Sequence, residues 1–307
     1  MIAPLTARGR RGAGAHTAAA GLVAAAVLLA SLCGASAADI VVRDDSGRKV
    51  RLAHPAQRVV TLLPSLTEIV CALGACPRLV ATDRYSDWPA EVRSLPKTGG
   101  LDDAQVEEIV RLSPDVVLLS HSQRITGRLQ ELGVQTVALD TETFGHIARS
   151  VALVGQVLGL PERAAALNAQ IDQSVRAVSE SARAHRHGAG PSVYVEVDRA
   201  PYAAGADSFM GEMLARLGAR NIVTPDLGPF PRLNPEYVVR HDPDVIIVEE
   251  EELPDFGARP GWDQIRAVKE RRVCSFAPGV RYMIERPGPR VADGMQALAA
   301  CLERVAP

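Results

Sequence analysis

The chain has 307 residues, 47% of them apolar and 23% charged, with a formal net charge of −2. That length favours about two domains and that composition is ordinary for a globular protein. No basic stripe offers a footing for nucleic acid, and with only 4% aromatic residues each exposed aromatic side chain carries more weight.

The first segment reads as an address rather than as fold. Arg8, Arg10 and Arg11 precede an apolar run over residues 18–32 and the small residues Ala35-Ser36-Ala37. This order predicts a secretory signal, residues 1–37, cleaved after Ala37, and export to the periplasm. The apolar run is short for a bilayer span, and Leu32 stands where a lipoprotein signal would need a small residue before Cys33. The mature chain then carries 31 basic against 36 acidic residues and four cysteines, Cys71, Cys76, Cys274 and Cys301. An oxidising compartment permits disulfides, but their pairing is open. Cys71 and Cys76 are either reduced small residues at a helix end or a local bridge.

Residues 38–159 read as a first α/β lobe. A hairpin over 39–52 turns at Asp45-Ser46-Gly47, and VVTLL (59–63) is a buried strand. Ser65 is expected to cap the next helix, with Glu68 completing a capping box. A short strand leads to the loop 82–89, which holds Tyr85 and Trp88. Gly99-Gly100 is a loop, and Asp103 is expected to cap the helix AQVEEIVRLS. Strands at 116–119 and 136–139 flank a helix over 122–132, and a helix over 147–158 closes the lobe.

Residues 160–187 follow as one long helix. Pro161 suits its first turn, and Ala164, Leu167, Ile171, Val175 and Val178 recur at steps of three and four. Its span is roughly 40 Å at the helical rise. Residues 188–307 repeat the alternation, with strands at 193–197, 245–248 and 273–276 and helices at 209–217, 262–267 and 290–304. The acidic run 249–252 reads as a solvated face and 279–289 as a loop.

The two halves echo each other. VEEIVRLSPDVVLL (106–119) and PEYVVRHDPDVIIV (235–248) align without gaps, with identities at Glu107/Glu236, Val110/Val239, Arg111/Arg240, Pro114/Pro243, Asp115/Asp244 and Val116/Val245. The predicted fold class is therefore α/β: two Rossmann-like lobes with parallel sheets, joined by one long rigid α-helix. Ligands of such sheets bind beyond the carboxyl ends of the strands, which directs attention to the loops between the lobes.

No G-x-S-x-G elbow, H-E-x-x-H helix or P-loop occurs. Ser120-His121 follows a strand without a partner nucleophile, and the histidines are dispersed, so no catalytic residue and no metal site is expected. Binding suits the loops better. Tyr85 and Arg281-Tyr282 offer flat apolar area with a polar tip, Trp88 serves either ligand contact or lobe packing, and Tyr202 and Phe230 are further candidates.

Four stretches, VVTLLPSLTEIVCALG, RYSDWP, VEEIVRLSPDVVLLS and RYMIERPGPRVADG, resemble periplasmic substrate-binding proteins of the helical-backbone class, which serve ABC importers of cobalamin, siderophores and haem. The second and fourth resemble the cobalamin-binding branch. The resemblance implies a non-enzymatic, monomeric receptor with cobalamin or another corrinoid as cargo, no cofactor of its own, and an inner-membrane ABC permease with its ATPase as partner. Ferric siderophore or haem is the alternative cargo, and a two-lobed periplasmic enzyme the alternative class. It implies that Tyr85 contacts the corrin, that Arg281, Tyr282, Met283, Ile284 and Glu285 close the other side, and that Pro64 and Ser65 form the floor. Glu107 and Glu285 would dock onto permease arginines. Two departures stand out. Gly99-Gly100 occupies a place where the family carries a tryptophan, and Cys301 lacks the partner expected near Leu217.

Overall fold

A computed structural model describes residues 1–3, 39–184, 188–198, 202–249 and 259–305. All but the first three residues of the expected signal, the last three of the expected rod (185–187), and residues 250–252 of the acidic run lie outside the described residues.

The first lobe opens with the antiparallel hairpin β1 (Ile40–Arg43) and β2 (Lys49–Leu52). It continues through β3 (Val59–Thr61), α1 (Pro64–Ala72), β4 (Leu79–Thr82), α2 (Val106–Arg111), β5 (Val116–Ser120), α3 (Thr126–Glu131), β6 (Thr136–Leu139) and α4 (Phe144–Val157). Its sheet is parallel in the order β4-β3-β5-β6. The 24-residue rod α5 (Pro161–Ala184) follows, about 36 Å long at the helical rise.

The second lobe runs through β7 (Ser192–Asp198), β8 (Tyr202–Ala203), α6 (Phe209–Arg216), β9 (Arg220–Asn221), α7 (Pro235–His241), β10 (Val245–Glu249), α8 (Arg266–Lys269), β11 (Val273–Phe276), α9 (Pro278–Glu285) and α10 (Val291–Val305). The strand order β11-β10-β7-β9 mirrors the first lobe, with β3 matched by β7 and β5 by β10. This sheet is parallel except for β8, which pairs antiparallel with β7.

The repeat in the sequence has a structural cause. Asp115 and Asp244, each ahead of a central strand, accept from backbone N–H groups at the start of the neighbouring strand: Asp115 from Gln57 at 2.7 Å and Arg58 at 2.9 Å, Asp244 from Ser192 at 2.8 Å. Both lobes also end the preceding helix with a left-handed residue, Ser113 (φ 46°) and Asp242 (φ 42°).

Near-continuous apolar strands bury both faces of each sheet, as a parallel sheet covered on both sides demands. Val59, Val116 and Leu118 of the first lobe share one core with Val193, Val195, Val245 and Ile247 of the second, and Ala164, Ile171 and Val175 of α5 lie within it. The alternate residues face outward into separate cores, Val60, Val117 and Leu119 in one lobe and Tyr194, Ile246 and Val248 in the other. The rod is thus a shared wall of both lobes, not a free spacer. Ala164 reaches Gly155 of α4 so closely that a Cβ at 155 would collide with it.

Four local expectations are corrected. Ser65 does not cap α1: Leu63 is the N-cap and Pro64 takes the first helical position, where its missing N–H costs nothing. Gln105, not Asp103, precedes α2, and the Asp103 carboxylate instead accepts from the Gly100 N–H at 2.8 Å. The expected helix over 122–132 contracts to α3. The expected loop 279–289 begins as the helix α9, which Pro278 opens in the same first-turn role.

Cys71 bonds Cys76, and Cys274 of β11 bonds Cys301 of α10 with Cα atoms 6.0 Å apart. The partner of Cys301 is therefore in β11 rather than near Leu217. The 27-residue separation corresponds to about 3.6 kcal/mol of loop-closure stabilisation. Cys274→Ala with Cys301→Ala should lose stability of that order in urea unfolding, and a loss under about 1 kcal/mol would contradict it.

Candidate functional site

Between the lobes lies an open gap of about 460 Å³. The first lobe lines it with Leu63, Pro64, Ser65, Tyr85, Leu101, Thr141 and Glu142, and the second with Phe209, Met210, Phe230, Tyr282, Glu285, Arg286 and Pro287. In the first lobe these residues follow the carboxyl ends of β3, β4 and β6. The volume falls within the roughly 300–1,000 Å³ of an ordinary small-molecule pocket. Gly288 packs on the backbone of Ser65 at the floor, where the two lobes meet.

Tyr85, 59% exposed, stands on a loop held from beneath by buried polar groups. Its N–H donates to Asp83 at 2.8 Å, and the Ser86 hydroxyl donates to the same carboxylate. A hydroxyl chain from Thr61 of β3 to Thr67 of α1 (2.6 Å) and on to Ser86 (2.7 Å) ties the loop to sheet and helix. Lys97 donates to Thr82 Oγ1 at 2.8 Å and to the Ser86 carbonyl at 2.7 Å. Burial pushes the Asp83 carboxyl above its ordinary range, although Ser86, the Tyr85 N–H, Lys97 and Arg286 all favour its charged form. Burial likewise draws Lys97 below its usual value against the pull of Asp83 and Asp87. Fully satisfied networks of this kind fix one geometry. Gly100 lies against the Tyr85 ring and Gly99 adopts φ 97°, where a Cβ would collide with the Asp103 backbone. The loop geometry thus requires glycine at the place where the family resemblance expects a tryptophan.

The opposite wall is α9 and the segment after it. Tyr282 faces the gap, and the Arg286 guanidinium carbon lies 4.1 Å from its ring centroid. Arg286 Nη1 donates to Asp87 at 2.7 Å and to Glu68 at 3.3 Å, while Nη2 donates to the Tyr85 carbonyl at 3.0 Å. Arg290 grips Glu68 with two bonds, 2.8 and 2.6 Å, and lies 4.9 Å from the Trp88 ring. A second seam joins the lobes where Phe144 of α4 stacks on Phe209 of α6 at 6.0 Å and Arg216 lies over the Phe144 ring at 4.1 Å.

Of the residues the sequence singles out, the structure brings Pro64, Ser65, Tyr85, Phe230, Tyr282 and Glu285 around one gap. It does not bring the others there. Trp88 and Met283 line a neighbouring recess with Asp87 and Arg290, on the other side of Tyr282, which borders both. Arg281 and Ile284 face a cavity of about 20 Å³ inside the second lobe, where Arg281 pairs with Glu249 and lies 3.7 Å from Glu285. A single helix cannot aim five consecutive residues at one gap, so reading 281–285 as a loop overstated their reach. Tyr202 lies on the short strand β8, bridged to Arg232, and does not line the gap. Glu249 is half-buried beside Arg281 rather than on a solvated face. Glu107 is exposed in the first turn of α2.

The sequence reading missed Thr141 and Glu142, Met210, and the two arginines of R-P-G-P-R. Thr141 and Glu142 were findable, because they follow a strand. His121, Asp140 and Glu142, at the ends of β5 and β6, offer ligand atoms all within 4.8 Å of one another and are the residues that could hold a cation beside the gap. Their separation in the chain hides them from motif reading.

A family model described as periplasmic binding protein matches residues 59–278. An uncharacterized ABC transporter substrate-binding lipoprotein of Bacillus subtilis is 29% identical over 85% of this chain and 84% of its own length. A vitamin B12-binding protein of Pectobacterium atrosepticum is 26% identical over 62% of this chain and 71% of its own. The periplasmic heme-binding protein RhuT of Roseiflexus superposes with a TM-score of 0.72 at 25% identity, covering 82% of this chain and all of that structure.

Proposed function

The chain belongs to the periplasmic binding protein family, as a substrate-binding protein of the ABC transporter class that serves vitamin B12, haem and siderophores, and from that premise we propose that its cargo is cobalamin or a related corrinoid. It works after export, as a carrier that performs no covalent chemistry and hands cargo to an inner-membrane permease with its ATPase. The observation that carries the reading is the gap faced by Tyr85 of one lobe and Tyr282 of the other. Two amphipathic rings across an open gap suit a bulky, flat, apolar-faced molecule with polar edges. The B12-binding name of a relative supports the same cargo.

Calorimetric titration of the purified protein with cobalamin, haem and a ferric siderophore tests this. Tight binding of cobalamin alone is the expected result, whereas tight binding of only an iron chelate or haem would transfer the assignment to that cargo. Tyr85→Ala and Tyr282→Ala should each weaken cobalamin binding about tenfold, the equivalent of roughly 1.4 kcal/mol of lost ring contact. Unchanged affinity in both variants would place the cargo elsewhere.

Docking onto the permease falls, in this reading, to exposed carboxylates at equivalent places on the two lobes. Glu107 is one. Glu285 lines the gap and lies beside Arg281, so it serves the cargo wall. The internal repeat supplies the second docking residue as Glu236, which is exposed in the first turn of α7 as Glu107 is in α2.

A further inference from the structure

We infer that Arg286 is the positioning residue that sets the separation of the two aromatic walls and thereby the thickness of cargo the gap accepts. The inference rests on the reading of this gap as the cargo site. Arg286 touches both walls: its Nη2 donates to the backbone carbonyl of Tyr85, and its guanidinium carbon lies 4.1 Å from the centroid of the Tyr282 ring. Its remaining edge is spent on Asp87 and Glu68 of the first lobe. Face and edges of a guanidinium act at right angles, so one side chain can stack on one lobe while its N–H groups bond the other. An ammonium has neither the plane nor the fork.

The surroundings make this contact stiff rather than incidental. The Arg286 side chain is 10% exposed and that of Glu68 3% exposed. Two arginines, 286 and 290, face two carboxylates, Glu68 and Asp87, so the seam is charge-balanced and its members are held by several bonds each. The wall residues at stake stand on opposite ends of this linkage. Tyr85 rides on the loop whose carbonyl Arg286 holds, and Tyr282 is one helical turn before Arg286 on α9. A change in the length or shape of residue 286 therefore moves one wall relative to the other, while the rod and the shared core hold the lobes together.

The test uses Arg286→Met and Arg286→Lys in the full protein. Arg290 still grips Glu68 in both, which keeps that buried carboxylate paired and the variants folded. Wall separation is read without cargo by pulsed electron resonance between spin labels at Ala90→Cys, directly after the Tyr85 loop, and Ala277→Cys, at the head of α9, both exposed positions, since the described native cysteines are disulfide-bonded. Affinity is read by titration with cobalamin, haem and a ferric siderophore. The expected results are a broadened and shifted label distance in both variants, and a loss of at least tenfold for the best wild-type cargo with less than threefold for the others. Lys should not rescue. An unchanged label distance overturns the inference, as does an equal loss for every cargo, which is what mere destabilisation would produce. If the wild type binds none of the three, the cargo reading fails by itself and the label distance alone decides the role of Arg286.

Discussion

Arg259→Ala is expected to cost the fold about 3–5 kcal/mol, the usual penalty for stranding one member of a buried ion pair. Glu196 of β7 has a side chain only 1% exposed, and Arg259 grips it with bonds of 2.6 and 2.7 Å. The Tyr194 hydroxyl donates to the same carboxylate at 3.1 Å. Burial, and then the Glu196 charge and that hydrogen bond, push the Tyr194 hydroxyl far above its usual range, so it stays a donor at any working pH. Arg259 also lies 4.6 Å over the Trp262 ring, and Trp262 meets Tyr194 edge-on at 5.9 Å. With the arginine gone, a carboxylate remains where water does not reach, without its ionic partner. Adding Glu196→Gln should recover most of the deficit, because it removes the stranded charge. Urea unfolding of the single and double variants at neutral pH checks both statements, and a loss below about 1 kcal/mol for Arg259→Ala would sink them.

The lobes, the rod and the class of fold were readable because they rest on periodicity. Apolar steps of three and four mark α5, and unbroken apolar runs mark strands buried on both faces. The Pro-Asp repeat was readable because each lobe solves the same backbone problem with the same carboxylate. What the sequence hid was orientation. Whether Arg281 or Arg286 reaches the gap depends on the phase of α9, and R-P-G-P-R looks like a loop until both arginines are seen to meet Glu68 across the lobes. Capping failed for a related reason. Ser65 and Glu68 fit a local pattern, but Pro64 moved the helix start two residues earlier and tertiary charge claimed Glu68. The pairing of Cys274 with Cys301 was closed to inspection because it is set by how α10 lies across β11.

Glu107→Ala combined with Glu236→Ala is expected to abolish uptake while leaving cargo affinity within twofold of wild type. A receptor built as two lobes on one rod must present both lobes to its permease in register, and paired carboxylates at equivalent places supply that register when they enter arginine pockets. Truncating one partner of a buried interfacial charge pair costs roughly 2–5 kcal/mol. At the low end, two such losses weaken docking by about three orders of magnitude. The first-lobe member follows from its exposure at the head of α2. The second follows from geometry: α7 stands before β10 as α2 stands before β5, and Glu236 takes the place of Glu107 in the repeat. Glu285→Ala provides the contrast. Because it lines the gap and lies beside Arg281, its loss should weaken cargo binding and leave docking to the permease in detergent or nanodiscs unchanged. Uptake assays on cells carrying each variant, read against calorimetric affinities of the purified proteins, separate the two roles. If Glu285→Ala instead blocks uptake at full cargo affinity while Glu236→Ala does nothing, the second docking carboxylate is Glu285 and the symmetry argument fails. A single variant at Glu107 or Glu236 should be intermediate, since one anchored lobe still leaves the other free to misalign.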